Sequence, residues 1–135
     1  MSLNIFAPDG IWRKQVAANA FSGTYTPTLF NTANVTSSTA LACQYMQVGS
    51  VVTVSGGVTL TPTLITTLTT LGVSLPVAST LSAAQKCAGG ANSSSVVSNS
   101  AVIFGDTTNN RATLQLISVG TGAETFYFTF TYLVT

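Results

Sequence analysis

From Gln15 to Gln85 the chain runs for seventy-one residues without one charged side chain. A run so long and so apolar suggests a membrane helix, but its punctuation forbids one. Pro62, Pro76 and the Gly56-Gly57 pair interrupt it, and threonine recurs at nearly every second position of TLTPTLITTLTTLG. None of these suits a continuous apolar helix of about 20 residues. Threonine and valine fit the pleated, half-buried surface of a sheet, so the run reads as strands and turns, with no membrane partner.

The rest of the chain is almost as quiet. Asp9, Arg13, Lys14, Lys86, Asp106, Arg111 and Glu124 are the only charged residues among 135, and the net charge is +1. Polarity has moved into 38 serines and threonines. With 46% of residues hydrophobic, the chain has the means to bury a core and is not a disordered polar tract. The composition therefore describes an ordered, β-rich domain.

Whole classes of function fall away on the same grounds. Nucleic-acid binding draws its affinity from clusters of Lys and Arg on phosphates, and the longest basic cluster here is Arg13-Lys14. Histidine, the commonest general base and metal ligand, is absent. The three carboxylates lie in three separate segments, whereas glycoside hydrolysis needs two placed across one bond. Serine nucleophiles lack an activating base and the strained GxSxG turn. The chain reads as non-enzymatic, with no catalytic residue, metal or cofactor. Cys43 and Cys87, with no CxxC and no further ligands nearby, read as buried thiols acting as small hydrophobes, with a disulfide as the alternative.

Residues 1–22 form a segment apart. The start MSLNIFAPDG has no charged opening followed by an apolar stretch and is not a signal peptide. Phe6, Ile11, Trp12 and Phe21 follow neither a helical nor an alternating period, so this stretch reads as an arm that docks on its own domain or on a partner. If the chain is full length, the arm is its means of attachment.

From residue 23 onward, turn signals divide the sequence into candidate strands at 24–30, 41–48, 51–60, 72–78, 101–105, 111–119 and 125–134, with a weaker one near 84–91; 80–87 has room for one helical turn. Gly49-Ser50 suits a two-residue hairpin turn with glycine first. In ETFYFTFTYLV, Phe126, Phe128, Phe130, Tyr132 and Val134 share one face, the expected core face, and Thr125, Tyr127, Thr129, Thr131 and Leu133 share the other. The loop GTGAE predicts that this strand pairs with RATLQLISV as a hairpin. Asp106 and Arg111 read as a structural turn, the carboxylate bonding nearby backbone N–H groups and the guanidinium closing the loop. Tyr127 and Tyr45 are the candidate surface or subunit contacts, Tyr127 offering solvent, a subunit or a glycan its polar tip. Short strands separated by turns make an all-β, antiparallel β-sandwich or jelly-roll-like domain over 23–135.

In order, GTYTPTL, CQYMQVGSVVTVSGGVTL, LGVSLPVAS, CAGGA and AVIFGDTTNNRATLQLISVGTGAETFYFTFTYLV resemble a domain of tailed-bacteriophage virion proteins, found at the C-terminal end of tail fibres and similar appendages. The resemblance covers about 23–135. It implies a homotrimeric β-module on the virion exterior that contacts capsid or tail proteins, as a decoration or short appendage docked by the arm. The alternative it carries is a receptor-binding tip for a host surface glycan or protein. The chain departs from the family at Gln47 and near Gly57, where basic residues are common, which puts charge-dependent contacts there in doubt.

Overall fold

The computed structural model describes residues 4–6, 12–14 and 20–135. It is all-β. Two short strands, β1 (Asn4–Phe6) and β2 (Trp12–Lys14), form an antiparallel ladder of their own in which Phe6 and Trp12 are register partners. All other strands belong to one antiparallel sheet: β3 (Ala20–Tyr25), β4 (Leu29–Ala33), β5 (Val35–Ala40), β6 (Cys43–Val48), β7 (Val51–Pro62), β8 (Leu68–Val73), β9 (Cys87–Ser93), β10 (Ser100–Asp106), β11 (Arg111–Ile117) and β12 (Glu124–Leu133). A 3-10 turn, Ala84–Lys86, precedes β9.

The order β3-β6-β7-β12-β9-β10-β11-β8-β4 curls into a half-barrel. One run of chain ties the β4 end of the sheet back to β7. β4 pairs with β8, and β5, one residue further on, pairs with β7. The bend between them is Asn34, at φ 56°, a left-handed conformation that asparagine tolerates better than most residues. Its side chain anchors the corner: Nδ2 donates to the Leu64 carbonyl (2.9 Å) and to Thr69 Oγ1 (2.7 Å), and Oδ1 accepts from the Leu64 N–H (2.7 Å).

The core fills the concave side, and β12 supplies its spine. Phe126, Phe128, Phe130 and Tyr132 are buried, and Val134 packs against them part-buried, while Tyr127, Thr129, Thr131 and Leu133 are exposed. The alternation expected from sequence is thus realised. The same core holds Val52, Val54, Val58 and Leu60 of the neighbouring β7, Leu71 and Val73 of β8, and Ala112, Leu114 and Leu116 of β11. Fully burying a side chain of this size contributes roughly 1.5–3 kcal/mol, so this row dominates the stability of the domain. Tyr132 carries the one polar atom of the row. Its hydroxyl donates to the Val77 carbonyl (2.7 Å) and accepts from the Val77 N–H (3.1 Å), fastening the 74–80 loop over the core.

Several expectations need correction. β12 does not pair with β11: it lies between β7 and β9, with Phe130 opposite both Val54 and Gly89. A ten-residue strand with a full inward row needs a partner of matching length, and β7, twelve residues long, provides it. The 118–123 connection passes over β9 and β10, about 14 Å at strand spacing, within reach of six residues. The stretch 24–30 divides at Pro27 into the end of β3 and the start of β4; 72–78 is only the end of β8; and β5, in a polar stretch, was not expected at all. The first strand of the main sheet begins at Ala20. The Gly49-Ser50 hairpin stands, joining β6 to β7 with Gly49 at φ 61°, as a type II′ turn requires of its first central residue.

Candidate functional site

The structure brings Asp106 and Arg111 together. Both end strands of the β10–β11 hairpin, as register partners, and the turn they span puts every polar atom of the carboxylate to use. Oδ1 accepts from the backbone N–H groups of Thr108 and Asn109 (both 3.1 Å); Oδ2 accepts from Asn109 Nδ2 (2.9 Å) and Arg111 Nε (3.0 Å). The Arg111 guanidinium also lies 4.3 Å over the Phe30 ring, a cation–π contact. Hydrogen bonding by the Asn109 side chain, supported by the two backbone N–H groups and Arg111, holds the Asp106 carboxyl below the usual carboxylate range.

That shift has a sign that can be measured. A folded pKa below the unfolded value of about 3.9 means the turn's contribution is complete above about pH 4 and fades as pH falls through the folded pKa. Asp106→Asn is therefore expected to be less stable than the parent near neutrality and to converge with it in acid. Thermal melting across the acid range checks this; a stability difference that does not change with pH would sink it.

Glu124 serves no chemistry with Asp106. It is buried at the start of β12, where both its oxygens accept from Asn99 Nδ2 (3.1 and 3.0 Å). Cys43 and Cys87 are free and buried, on the inner side of β6 and at the start of β9. Burial pushes the Cys87 thiol up to about 12 and raises Cys43 as well, which makes both poor nucleophiles. Gly56 makes room for Cys43, since a methyl at Gly56 would meet its Sγ and lie 2.7 Å from its Cβ.

Of the four arm residues, Phe21 lies on β3 opposite Gln47 and is 54% exposed; Phe6 and Trp12 are placed by backbone register alone, and Ile11 lies outside the described residues. Gln47, where the resemblance leads one to expect a basic residue, is buried and donates from Nε2 to the Gly49 carbonyl (2.9 Å), stapling the hairpin turn. Tyr45 and Tyr127 part company. Tyr45 is half-buried, edge-on to Tyr25 at 6.1 Å between ring centroids and packed over Gly23, so it serves the fold. Tyr127 is 59% exposed on the convex face, opposite Gly57 in the ladder.

Around Tyr127 the convex face forms a groove that sequence reading did not anticipate. Thr24, Gln44, Ser55, Asn92 and Thr129 line it, over a floor that includes Gly57 and Gly90. These residues come from β3, β6, β7, β9 and β12, and only the outward row of β12 gave any sign of it in the sequence. No family model, curated protein or solved structure matches the chain.

Proposed function

We propose that the chain is a structural protein of a bacteriophage virion exterior, a capsid-decoration or short fibre-like appendage that assembles as a homotrimer. The observation that carries this reading is the character of the surface. Leu64, Ile65, Leu68, Ile117 and Val119 are all exposed at one end of the half-barrel, where the Ser118 hydroxyl donates to the Leu64 carbonyl (2.5 Å) and draws the β7–β8 loop against the end of β11. Val97, on the β9–β10 loop at the same end, is 92% exposed. Against these, Lys86 is the one exposed charged side chain among the described residues 20–135.

A clustered apolar patch without charges marks an interaction surface, and closed symmetric contacts between copies are the usual way to cover one. The finer architecture belongs to the same reading: a half-barrel tied at Asn34 serves as a β-sandwich or jelly-roll-like unit, its halves packed over the β12 aromatic row. The segment up to residue 22 then docks the unit on a capsid or tail protein, with Phe6, Ile11, Trp12 and Phe21 as anchors. Host-surface recognition is the other role open to such an appendage.

The test is the solution mass. Sedimentation velocity is expected to give the mass of three chains. It is expected to stay there when salt is raised from about 0.1 to 1 M, because contacts made by apolar area and hydroxyls are little affected by charge screening. A mass near that of one chain, or dissociation by salt alone, would overturn the reading.

A further inference from the structure

The groove beside Tyr127 has a volume of about 670 Å³, inside the roughly 300–1,000 Å³ range of small-molecule sites. A second hollow of about 590 Å³ shares Thr24, Gln44 and Ser55 with it and continues over Ser22, Met46 and Thr53. Together they make one track across the convex face, and no charged residue lines either part.

Gly57 and Gly90, two of the three glycines that line the groove, have different reasons to be glycine. A methyl at Gly57 would come within 3.0 Å of the Tyr127 ring and 3.1 Å of Leu41, so packing accounts for it. At Gly90 the nearest atom to a methyl would be the Ala101 carbonyl oxygen at 3.6 Å, an ordinary contact. Packing leaves room for a side chain there, and glycine inside a strand is destabilising relative to alanine. What the missing side chain does achieve is depth in the groove.

The lining also narrows the ligand. Much of the backbone beneath is committed to the β6–β7, β7–β12 and β12–β9 ladders, so hydrogen bonds to a ligand come chiefly from hydroxyls and carboxamides, which both donate and accept. An ion would find no countercharge. The matching chemistry is an uncharged molecule rich in hydroxyls with an apolar ring face to set against an aromatic side chain. We propose that this track binds a neutral oligosaccharide chain, with Tyr127 as the stacking platform and Thr24, Gln44, Ser55, Asn92 and Thr129 as hydroxyl partners. The site is complete within one copy and does not depend on the assembly reading.

The experiment titrates the full chain with maltohexaose, cellohexaose and hexa-N-acetylchitohexaose, and with hexagalacturonate as a charged counterpart, by calorimetry and ligand-observed NMR. At least one neutral hexamer is expected to bind with a Kd of about 1 mM or tighter, with no dependence on salt. Tyr127→Ala should weaken binding about tenfold or more, Thr129→Val should weaken it measurably, and Tyr127→Phe, which keeps the ring, should retain it. Circular dichroism melts establish that each variant is folded. Binding of none of the three neutral hexamers, binding of hexagalacturonate alone, or neutral binding unaffected by Tyr127→Ala would each overturn the proposal.

Discussion

Gly89→Ala is expected to lower the melting temperature by about 10 °C, although it adds a single methyl group to a small residue. β9 lies between β12 and β10, and Gly89 is the register partner of Phe130 on one side and Ile103 on the other. A Cβ at this position would run into the Thr129 carbonyl oxygen and lie 2.6 Å from Phe130 Cα. These are backbone atoms of a paired strand, so no rotamer change relieves the conflict. Either the β9–β12 ladder opens or the Phe130 segment shifts out of the core. Overpacking of this kind costs about 3 kcal/mol, and each kcal/mol is worth about 4 °C for a domain of this size. Gly90 is the internal control. With its nearest neighbour at 3.6 Å, Gly90→Ala should leave stability unchanged or raise it by about 0.4–1 kcal/mol through the unfolded state. Calorimetric melts of the two variants decide the matter; equal effects at the two glycines would contradict the packing of β9 against β12.

What could be read from the sequence, and what could not, follows from how each feature is encoded. The faces of β12 were legible because alternation writes them directly into neighbouring residues. So was the Gly49 turn, because glycine there answers a backbone conformation, and the Asp106 turn, because its partners lie within five residues. The neighbour of β12 was not legible. Alternation says which face of a strand is buried but not against which strand it pairs, and the short GTGAE loop favoured the local partner over β7, more than sixty residues away. β5 escaped notice because VTSSTA looks like a polar loop; its status as a strand depends on the corner at Asn34, whose bonds reach residues 30 to 84 positions away. The groove was hidden for the same reason. Thr24, Gln44, Ser55, Asn92 and Thr129 are unremarked polar residues until five strands lay them side by side, and the vacancy at Gly90 has meaning only once the position of Ala101 is known.

Alanine scanning of β12 should give a sawtooth in stability, and its highest tooth is Phe130. Phe130→Ala removes a side chain that is 1% exposed and stacked on Phe128 at 5.7 Å between ring centroids; the loss of transfer energy plus the cavity left behind amounts to about 3–5 kcal/mol. Set against a total stability of about 5–15 kcal/mol, that leaves the domain close to unfolding. Phe126→Ala, at 0% exposure, should cost as much. Between them, Thr129→Ala and Tyr127→Ala touch only the convex face and should stay within about 0.5 kcal/mol. Tyr132→Phe tests the remaining polar atom: it keeps the ring but deprives the Val77 N–H and carbonyl of their partner, at a cost of about 1–3 kcal/mol. Urea midpoints for the series read all of this at once. A smooth profile along the strand would mean that β12 is not divided into a buried and an open face, and with that the convex groove would lose its wall. A sawtooth with Tyr127 at its floor would leave that residue free of any duty to the fold, so that whatever its substitution does to binding can be assigned to the groove itself.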